Sequence, residues 1–446
     1  MRTVESHDAA VAAAHSIDVD EWRHAFDEVM DRVAPRFARC EPLRNAGALM
    51  LGLVCDIGRK NCWTLAELSG HPSPDRLQHL LSRAKWDADA VRDDLRSYVV
   101  DHLDDDDAVL VVDETGDVKK GIRTVGTQRQ YTGTAGRIEN AQVAVYLTYA
   151  APNGHTPIDR ELYLPKAWVD DPDRRQRAGV PADVEFATKP KLAGRMLARA
   201  VATGCRARWA TGDEVYGADP ELRKTTAGLG LGYVYAIGSN RTVTTPTGQT
   251  QRVDELALSL RRRAWRRVSA GTGAKGQRWY SWALVDIVGD TDSGHHHLLI
   301  RRHDKTGELA YYRCYSPDPV TLADYVRVAG WRWKVEETFQ TGKGLAGLDE
   351  HQVRTWTSWH RWVTLAMLAH AFLVVTTDAQ RHTEASASTI GESLITLTVN
   401  EFRRLFVALL LRPLHAVANI LAWSTWRRKH QARARSCHYR KQDQQQ

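Results

Sequence analysis

The chain has 446 residues, 43% of them hydrophobic, so it can bury a sizeable core and is long enough for roughly two to four domains. Lys and Arg number 61 against 54 Asp and Glu, and the net charge of +7 suits a nucleic-acid partner or an ordinary basic enzyme. The six cysteines form no CxxC pair and the N-terminus has no apolar signal core, which argues against a disulfide framework, a cysteine zinc site and a secretory signal.

Residues 1–100 are predicted to be helical. Residues 64–70 form a short helix that a glycine stops, and residues 75–84 carry three leucines at helical spacing. Two helices joined by a short turn indicate a helix-turn-helix that contacts DNA. A plain helical hairpin explains the same pattern equally well.

Residues 101–345 are predicted to form an α/β domain around a mixed sheet. Apolar and alternating runs predict strands at 108–112, 142–150, 161–164, 206–211 and 232–237, and an amphipathic helix at 191–203. Three meandering strands followed by crossover strands are typical of a mixed sheet with helices on its faces.

The pattern changes between residues 240 and 300, which are rich in Thr, Arg and Gly. Strand-like pieces at 283–287 and 297–300 predict a β-rich insertion in the domain. A further strand-like segment at 308–315 then leads into a predicted helix over 321–341.

Residues 346–446 are predicted to be a C-terminal helical region that ends in a disordered basic tail at 427–446. The most apolar segment, 362–375, is too short to span a bilayer, and His370 interrupts it. We therefore expect a buried helix in a soluble, cytoplasmic protein that has no membrane partner.

Two aspartates stand where buried strands are predicted to end. Asp113 follows the run 108–112, and Asp213 follows the strand 206–211. In such sheets the residues just past strand ends line the crevice that binds ligands, and a carboxylate there is costly unless a cation pairs with it. Either aspartate alone is better explained as a cap on the next turn. Together they favour a divalent metal ion.

The third carboxylate is expected from the helix at 321–341, where Glu336 and Glu337 compete. Arg332, Glu336 and Lys343 fall at i, i+4 and i+11, so they share one face if the helix runs on that far. Glu337 lies about 100° around the helix from Glu336. An ordinary surface ion pair between Arg332 and Glu336 explains their spacing without a metal.

The spacing Arg332-x3-Glu336-x6-Lys343 resembles the third acidic motif, Tyr-x2-Arg-x3-Glu-x6-Lys, of a group of bacterial insertion-sequence transposases of the DDE superfamily. The tyrosine position falls on Ala329, where the chain departs from that pattern. Further stretches that resemble this group are Asp113-Glu-Thr-Gly116, Lys119-Lys-Gly121, Gln130-Tyr-Thr-Gly-Thr134, Glu139-Asn-Ala-Gln-Val143 and Gly347-Leu-Asp-Glu350.

The resemblance implies an RNase H-like fold, two Mg²⁺ ions for which Mn²⁺ would substitute, and Asp113, Asp213 and Glu336 as their ligands. Three carboxylates supply the hard oxygen atoms that these cations prefer. We expect water to cut the transposon end, and the freed 3′-hydroxyl to attack the opposite strand or target DNA. The resemblance favours the first of these attacks, which gives a hairpin.

Basic and aromatic side chains near the carboxylates are predicted to contact DNA. They are Arg332 and Lys343 near the cut, Lys119, Lys120, Arg123, Arg129 and Tyr131 in the loop after the first strand, and Trp265 and Arg266 in the insertion. A solvated loop and core packing of Trp265 are the competing interpretations.

Double-stranded DNA, as transposon ends and target, is the expected partner, together with a homodimer or larger assembly at the nucleoid. One alternative is an RNase H-like nuclease that cuts DNA without strand transfer. Another is a catalytically inactive, domesticated DNA-binding protein, against which the three acidic residues argue.

Overall fold

The computed structural model describes residues 17–387 apart from 274, 275 and 292, residues 396–411, and the single residues 426, 429 and 433. Nearly all of the predicted basic tail at 427–446 lies outside the described residues. The chain divides into two compact units. One comprises Met1–Ala88, Lys343–Val353 and Thr357–Gln446, and the other comprises Asp89–Gly342 and Arg354–Trp356.

The α-helices follow one another along the chain as α1 (Val19–Val33), α2 (Cys40–Val54), α3 (Cys62–Leu68), α4 (Asp75–Ser82), α5 (Ala88–Leu103), α6 (Lys166–Val169), α7 (Pro172–Ala178), α8 (Lys189–Ala202), α9 (Glu214–Gly217), α10 (Pro220–Gly228), α11 (Val253–Ser259), α12 (Leu322–Trp331), α13 (Lys334–Ala346), α14 (Trp356–Ala387) and α15 (Val399–Leu410). The strands are β1 (Val109–Val118), β2 (Gln128–Thr132), β3 (Arg137–Ala151), β4 (Gly154–Leu162), β5 (Trp209–Gly212), β6 (Gly232–Ile237), β7 (Thr242–Thr244), β8 (Thr250–Arg252), β9 (Arg266–Gly273), β10 (Gly276–Asp286), β11 (His295–Arg302) and β12 (Leu309–Ser316).

Aromatic side chains join the helices of the first unit. The Trp22 indole of α1 donates a hydrogen bond of 3.0 Å to the Gln380 amide oxygen of α14, and its ring lies 4.9 Å from that of Phe402. The Phe372 ring of α14 lies 5.2 Å from the Phe406 ring of α15. These contacts make α14 the centre of a helical core.

Helix α14 is longer than the sequence pattern predicted. Its 32 residues include a 30-residue stretch, Trp356–Ala385, that is long and apolar enough to cross a membrane by length and composition alone. The most apolar window of that stretch is 94% buried within the protein. The predicted buried helix is therefore confirmed, and the expectation that its length falls short of a bilayer was wrong.

Helices α3 and α4 occupy the segment predicted to contact DNA. The turn between them contains Gly70, whose φ of 71° is a left-handed conformation that favours glycine. Leu77, Leu80 and Leu81 of α4 are buried, whereas Arg76 on the same helix is exposed. Helix α4 thus has an apolar inner face and a polar outer face that includes Arg76.

The second unit is built on a ten-stranded mixed sheet in the order β2-β3-β1-β5-β6-β12-β11-β10-β9, with β4 paired to β3. Strand β1 runs antiparallel to β3 and parallel to β5, and β5 runs parallel to β6. This arrangement confirms the predicted α/β class with a mixed sheet. The apolar face packs against α12, where Tyr325, Val326 and Val328 join Val109 and Val111 of β1 in one buried cluster.

The strands between residues 266 and 302 extend the main sheet. Strand β12 pairs antiparallel with β6, and β11, β10 and β9 follow it outward. Strand β5 occupies one edge of β6, and β12 pairs with the other. The pairing satisfies backbone groups that would otherwise lack partners at the sheet edge. Only β7 and β8, among the described strands, form a separate pair.

Candidate active site

The two predicted aspartates lie side by side at one end of a shared ladder. Residues Val109–Val112 of β1 pair in register with Trp209–Gly212 of β5, and Asp113 and Asp213 come next on each strand. Because the strands are parallel and the preceding residues are paired, the two carboxylates emerge at the same edge. The juxtaposition depends on strands that are about 100 residues apart in the sequence.

Asp113 does not end its strand, as the sequence pattern had predicted. Strand β1 continues to Val118 and stays paired with β3 throughout, as far as Val118 opposite Ala141. What ends at Asp113 is the pairing with β5, because Asp213 turns away into α9. The Asp213 carboxylate accepts a hydrogen bond of 2.9 Å from the Val215 backbone N–H as the N-cap of that helix.

Two glycines allow this close turn. A Cβ at Gly212 would lie 2.7 Å from Cγ2 of Val112, and a Cβ at Gly217 would overlap the carbonyl oxygen of Ala236. The backbone at Gly212 therefore packs directly against β1, and the backbone at Gly217 packs directly against β6. Larger side chains at these glycines would displace Asp213 from its place beside Asp113.

Electrostatic repulsion and burial act on both aspartates. Burial raises the pKa of Asp113 well above 3.8, and the negative charges of Asp213 and Glu114 raise it further. Burial also raises the pKa of Asp213, followed by the charge of Glu114. The Arg332 guanidinium acts in the opposite direction on both groups, so it lies near both of them.

Glu114 is a third carboxylate that the sequence analysis missed. Its side chain accepts hydrogen bonds of 2.6 Å from the Lys189 ammonium and 2.6 Å from the Tyr216 hydroxyl. Lys189 opens α8 and Tyr216 belongs to α9, so these bonds fix both helices next to the aspartates. The available signal was its position directly after Asp113 in a strand.

The predicted helix over 321–341 is two helices, α12 and α13, which meet at Arg332 and Trp333. The reason lies in a distant strand. The Arg278 guanidinium of β10 donates a hydrogen bond of 3.1 Å to the Gly330 carbonyl oxygen, which in a continuous helix would accept from the Lys334 N–H. The break removes the basis for counting Arg332 and Lys343 on one helical face.

Arg332 and Glu336 remain paired across the break. The Arg332 guanidinium lies 3.2 Å from the Glu336 carboxylate, which is 41% exposed. The Arg332 guanidinium thus pairs with Glu336 and also acts electrostatically on Asp113 and Asp213. This contact by itself is also what the alternative interpretation predicted, namely an ordinary surface ion pair without a metal ion.

Glu337 is engaged elsewhere. Its carboxylate lies 2.9 Å from the Lys334 ammonium and 3.4 Å from Nε2 of His155, which comes from β4. The hydrogen bond from His155, then those with Lys334, lower the pKa of Glu337 to about 2. Of the two neighbouring glutamates, Glu337 is thus neutralised by a basic pair of its own.

Within the described ranges, no three His, Cys, Asp and Glu side chains lie close enough together to hold a metal ion. The structure brings Asp113 and Asp213 together. Glu336 is linked to them through Arg332, with which it forms an ion pair. The two aspartates nevertheless fit a divalent cation, because adjacent carboxylates with raised pKa values are relieved by a positive charge. Convergence of all three carboxylates stays a prediction.

A family model described as "DDE superfamily endonuclease" matches residues 32–277. The chain belongs to this family. The match confirms the resemblance drawn from the acidic motifs, and it includes Asp113 and Asp213 but ends before Glu336.

Two further comparisons concern individual proteins. A probable transposase for insertion sequence element IS701 from Microchaete diplosiphon is 29% identical over 197 residues, or 44% of this chain, and the match spans about half (49%) of that protein. A solved structure of piggyBac transposase in a synaptic complex with hairpin DNA has a TM-score of 0.45 and 13% identity, with 91% of this chain and 84% of that chain covered.

The predicted DNA-contacting loop of this DDE endonuclease is partly a strand. Arg129 and Tyr131 lie on β2 and are exposed, since alternate residues of the strand face outward. Lys120 and Arg123 are exposed in the segment between β1 and β2, and Lys119 lies 3.9 Å from the Asp117 carboxylate. The exposed side chains are accessible to a ligand.

The other predicted contacts differ in exposure. Trp265 is partly buried against an apolar cluster, and the Arg302 guanidinium lies 4.1 Å from its ring centroid. Its neighbour Arg266 is exposed. Lys343 lies in the last turn of α13, in the part of that helix that belongs to the first unit. DNA binding by these residues stays a prediction.

Proposed function

We propose that this DDE endonuclease is a transposase, which cleaves DNA at transposon ends and joins the freed ends to target DNA. One observation carries the proposal: Asp113 and Asp213 directly follow the last paired residues of the parallel strands β1 and β5, at the same end of their ladder, in a chain of this family. We also propose that the catalytic core is RNase H-like. The meander β1-β3-β4 followed by the parallel strands β5 and β6 supports this assignment.

Asp113, Asp213 and Glu336 would hold two Mg²⁺ ions, for which Mn²⁺ would substitute. When bound, such ions make water or a 3′-hydroxyl nucleophilic and stabilise the departing oxygen. Partial burial of the two aspartates and the repulsion on Asp113 support this role, because both raise the cost of an uncompensated negative charge and favour a cation as partner.

The DNA partner would be a duplex, held by Arg332 and Lys343 near the cut and by Lys119, Lys120, Arg123, Arg129, Tyr131, Trp265 and Arg266 beyond it. The helical segment 1–100 would add a DNA-reading hairpin, the catalytic domain would span 101–345, and the rest would be a C-terminal helical region. A homodimer or larger assembly would bring two ends together at the nucleoid. Attack of the 3′-hydroxyl on the opposite strand, giving a hairpin, is the proposed route.

Incubation of the protein with Mg²⁺ and duplexes from the DNA that flanks its gene tests the proposal. We expect nicked, hairpin and plasmid-joined products, resolved on denaturing gels from duplexes labelled on each strand, and no products in Ca²⁺ or EDTA. Cleavage without joined product would instead identify a nuclease. Binding without cleavage in Mg²⁺ or Mn²⁺ would identify an inactive DNA-binding protein.

Arg332 is predicted to hold phosphate near the cut, so Arg332→Ala should weaken binding to duplex ends. The slope of log affinity against log salt should fall by about 0.9, because one fewer phosphate is neutralised and fewer counterions are released. The measurement is a fluorescence-anisotropy titration at several salt concentrations in Ca²⁺.

Arg327→Ala is the matched control for Arg332. Arg327 lies on the same helix α12, and its guanidinium is 2.9 Å from the Asp107 carboxylate. It should leave the salt slope unchanged. If Arg332→Ala also leaves the slope unchanged, the Arg332–Glu336 ion pair has only a structural role.

A further inference from the structure

A large cavity opens beside Asp213 within the sheet unit. Its volume is about 1010 Å³, and its lining comes from the outer strands of the sheet, from α9 and from the break between α12 and α13. Tyr280, Trp282 and Tyr312 form its aromatic part. Three arginines, Arg278, Arg301 and Arg332, also line it.

Two of these three arginines already have partners. Arg278 donates hydrogen bonds to the carbonyl oxygens of Ala270 (2.9 Å) and Gly330 (3.1 Å), which tie β9 and α12 together. Arg332 is paired with Glu336. The Arg278 guanidinium is therefore largely committed to the protein, whereas the single contact with Glu336 leaves Arg332 other N–H donors for the phosphate contact proposed above.

Arg301 is different. Its guanidinium lies 4.9 Å from the centroid of the Tyr280 ring and makes no hydrogen bond to the part of the chain that the structure describes. Its buried Nε atom lacks an acceptor there, as does that of Arg278, but Arg278 donates through its terminal nitrogen and Arg301 does not. Within the same part, no carboxylate lies within ion-pair distance of it. A partly buried guanidinium beside an aromatic ring retains its positive charge and an unmet need for acceptors.

The acidic residues around the cavity do not supply these acceptors. Glu337 lines the cavity but is already paired with Lys334 and His155. Asp213 caps α9 beside Asp113. Arg301 and Arg332 both act on the Tyr312 hydroxyl, where their positive charges oppose the rise in its pKa that burial causes. Both guanidinium groups thus lie near Tyr312 in the lining of a cavity that also includes Asp213.

We propose that Arg301 binds a backbone phosphate of the DNA strand that enters this cavity beside Asp213. The inference rests on the proposed function, because it assumes a DNA substrate. A guanidinium offers a fork of N–H donors that matches two phosphate oxygens. Stacking on Tyr280 holds the fork in place at low entropic cost, and the phosphate supplies the acceptors that the protein lacks. Arg301 would then fix the strand relative to the aspartates.

Arg302 provides a matched control on the same strand. Successive residues of β11 point to opposite faces of the sheet, so Arg302 lies away from the cavity, over the ring of Trp265. Arg301→Gln and Arg302→Gln remove the same charge from neighbouring positions. If only the overall positive charge matters, the two variants should lose DNA affinity equally. If Arg301 binds a specific phosphate, only Arg301→Gln should lose it.

The experiment measures binding of the full chain, in Ca²⁺, to duplexes from the DNA that flanks its gene, each with one phosphate replaced by uncharged methylphosphonate. For the wild-type protein we expect about tenfold weaker binding when the contacted phosphate is neutralised. Arg301→Gln should bind the unmodified duplex about tenfold more weakly and should lose sensitivity at that one phosphate. Arg302→Gln should keep the wild-type pattern.

Equal losses in the two variants, or full methylphosphonate sensitivity in Arg301→Gln, would overturn the assignment while the proposed function stands. Absence of DNA binding by the wild-type chain would overturn the proposed function and this site with it. Arg301→Lys guards against a folding defect, because it keeps the charge and aliphatic stem. It should retain the salt slope and lose the affinity that depends on the fork.

Discussion

Replacing Asp113 by Asn should abolish Mg²⁺-dependent cleavage and make the metal-free protein more stable at neutral pH. The amide keeps the size of the side chain and removes the charge that a cation needs, so cleavage should fall by at least about 10²–10³-fold. Stability should rise because the wild-type carboxylate is partly buried beside Asp213 and Glu114, and the nearby Arg332 guanidinium offsets only part of that cost. Opposite effects on activity and stability are typical of a functional residue.

The sign of the pH dependence follows from the raised pKa. The folded protein binds the Asp113 proton more tightly than the unfolded chain, in which the pKa is about 3.8. The free energy of unfolding therefore falls as pH rises from the unfolded pKa through the folded pKa, and the cost is fully present above the folded pKa. Asp113→Asn removes this dependence, so its advantage over the wild type should appear as pH rises and disappear below the unfolded pKa.

Thermal unfolding from pH 3 to pH 8, with and without Mg²⁺, measures both effects. Mg²⁺ should raise the melting temperature of the wild type more than that of Asp113→Asn, because only the native wild-type site binds the ion well. Asp117→Asn, on the same strand beyond the last pairing with β5, serves as the control and should retain cleavage. An Asp113→Asn variant that cuts DNA normally would remove Asp113 from the proposed metal site.

Local sequence patterns predicted the centre of the sheet well. The strand predicted at 232–237 coincides with β6, because both of its faces are apolar and buried. The strand predicted at 108–112 covers only the first four of the ten residues of β1. After Asp113 the side chains are partly exposed, and the strand is held by the long antiparallel partner β3 rather than by apolar residues. Pairing of this kind depends on distant residues and leaves little local signal.

Long-range contacts also explain what the sequence pattern missed in the site. The break between α12 and α13 depends on the Arg278 hydrogen bond to Gly330, which joins residues 52 positions apart. The helical spacing of Arg332, Glu336 and Lys343 holds only in an unbroken helix. The two aspartates could be predicted because their strands carry their own apolar pattern. The partners of Glu114 and Glu337 could not, since Lys189, Tyr216 and His155 come from other elements.

The last prediction separates Glu336 from Glu337. Glu336→Gln should reduce cleavage and joining by at least about 10²–10³-fold, because it removes a charge that would hold the cation. DNA binding in Ca²⁺ should be unchanged or tighter, since a negative charge near phosphate is gone. Glu337→Gln should retain most of the activity, because Glu337 is neutralised by Lys334 and His155 and is not available to a metal ion.

The comparison is informative because the two substitutions are chemically identical and adjacent. Any general effect of lost negative charge on DNA binding or folding should appear in both variants, and only a metal ligand should separate cleavage from binding. The contact with His155 adds a second difference. Glu337→Gln removes the carboxylate charge that pairs with His155 and weakens the tie between β4 and α13, so it should lower the melting temperature slightly. Loss of cleavage in Glu337→Gln with retention in Glu336→Gln would assign the third carboxylate to Glu337. Arg332 would then be paired with a residue outside the metal site, and its proposed contact with phosphate near the cut would lose its support.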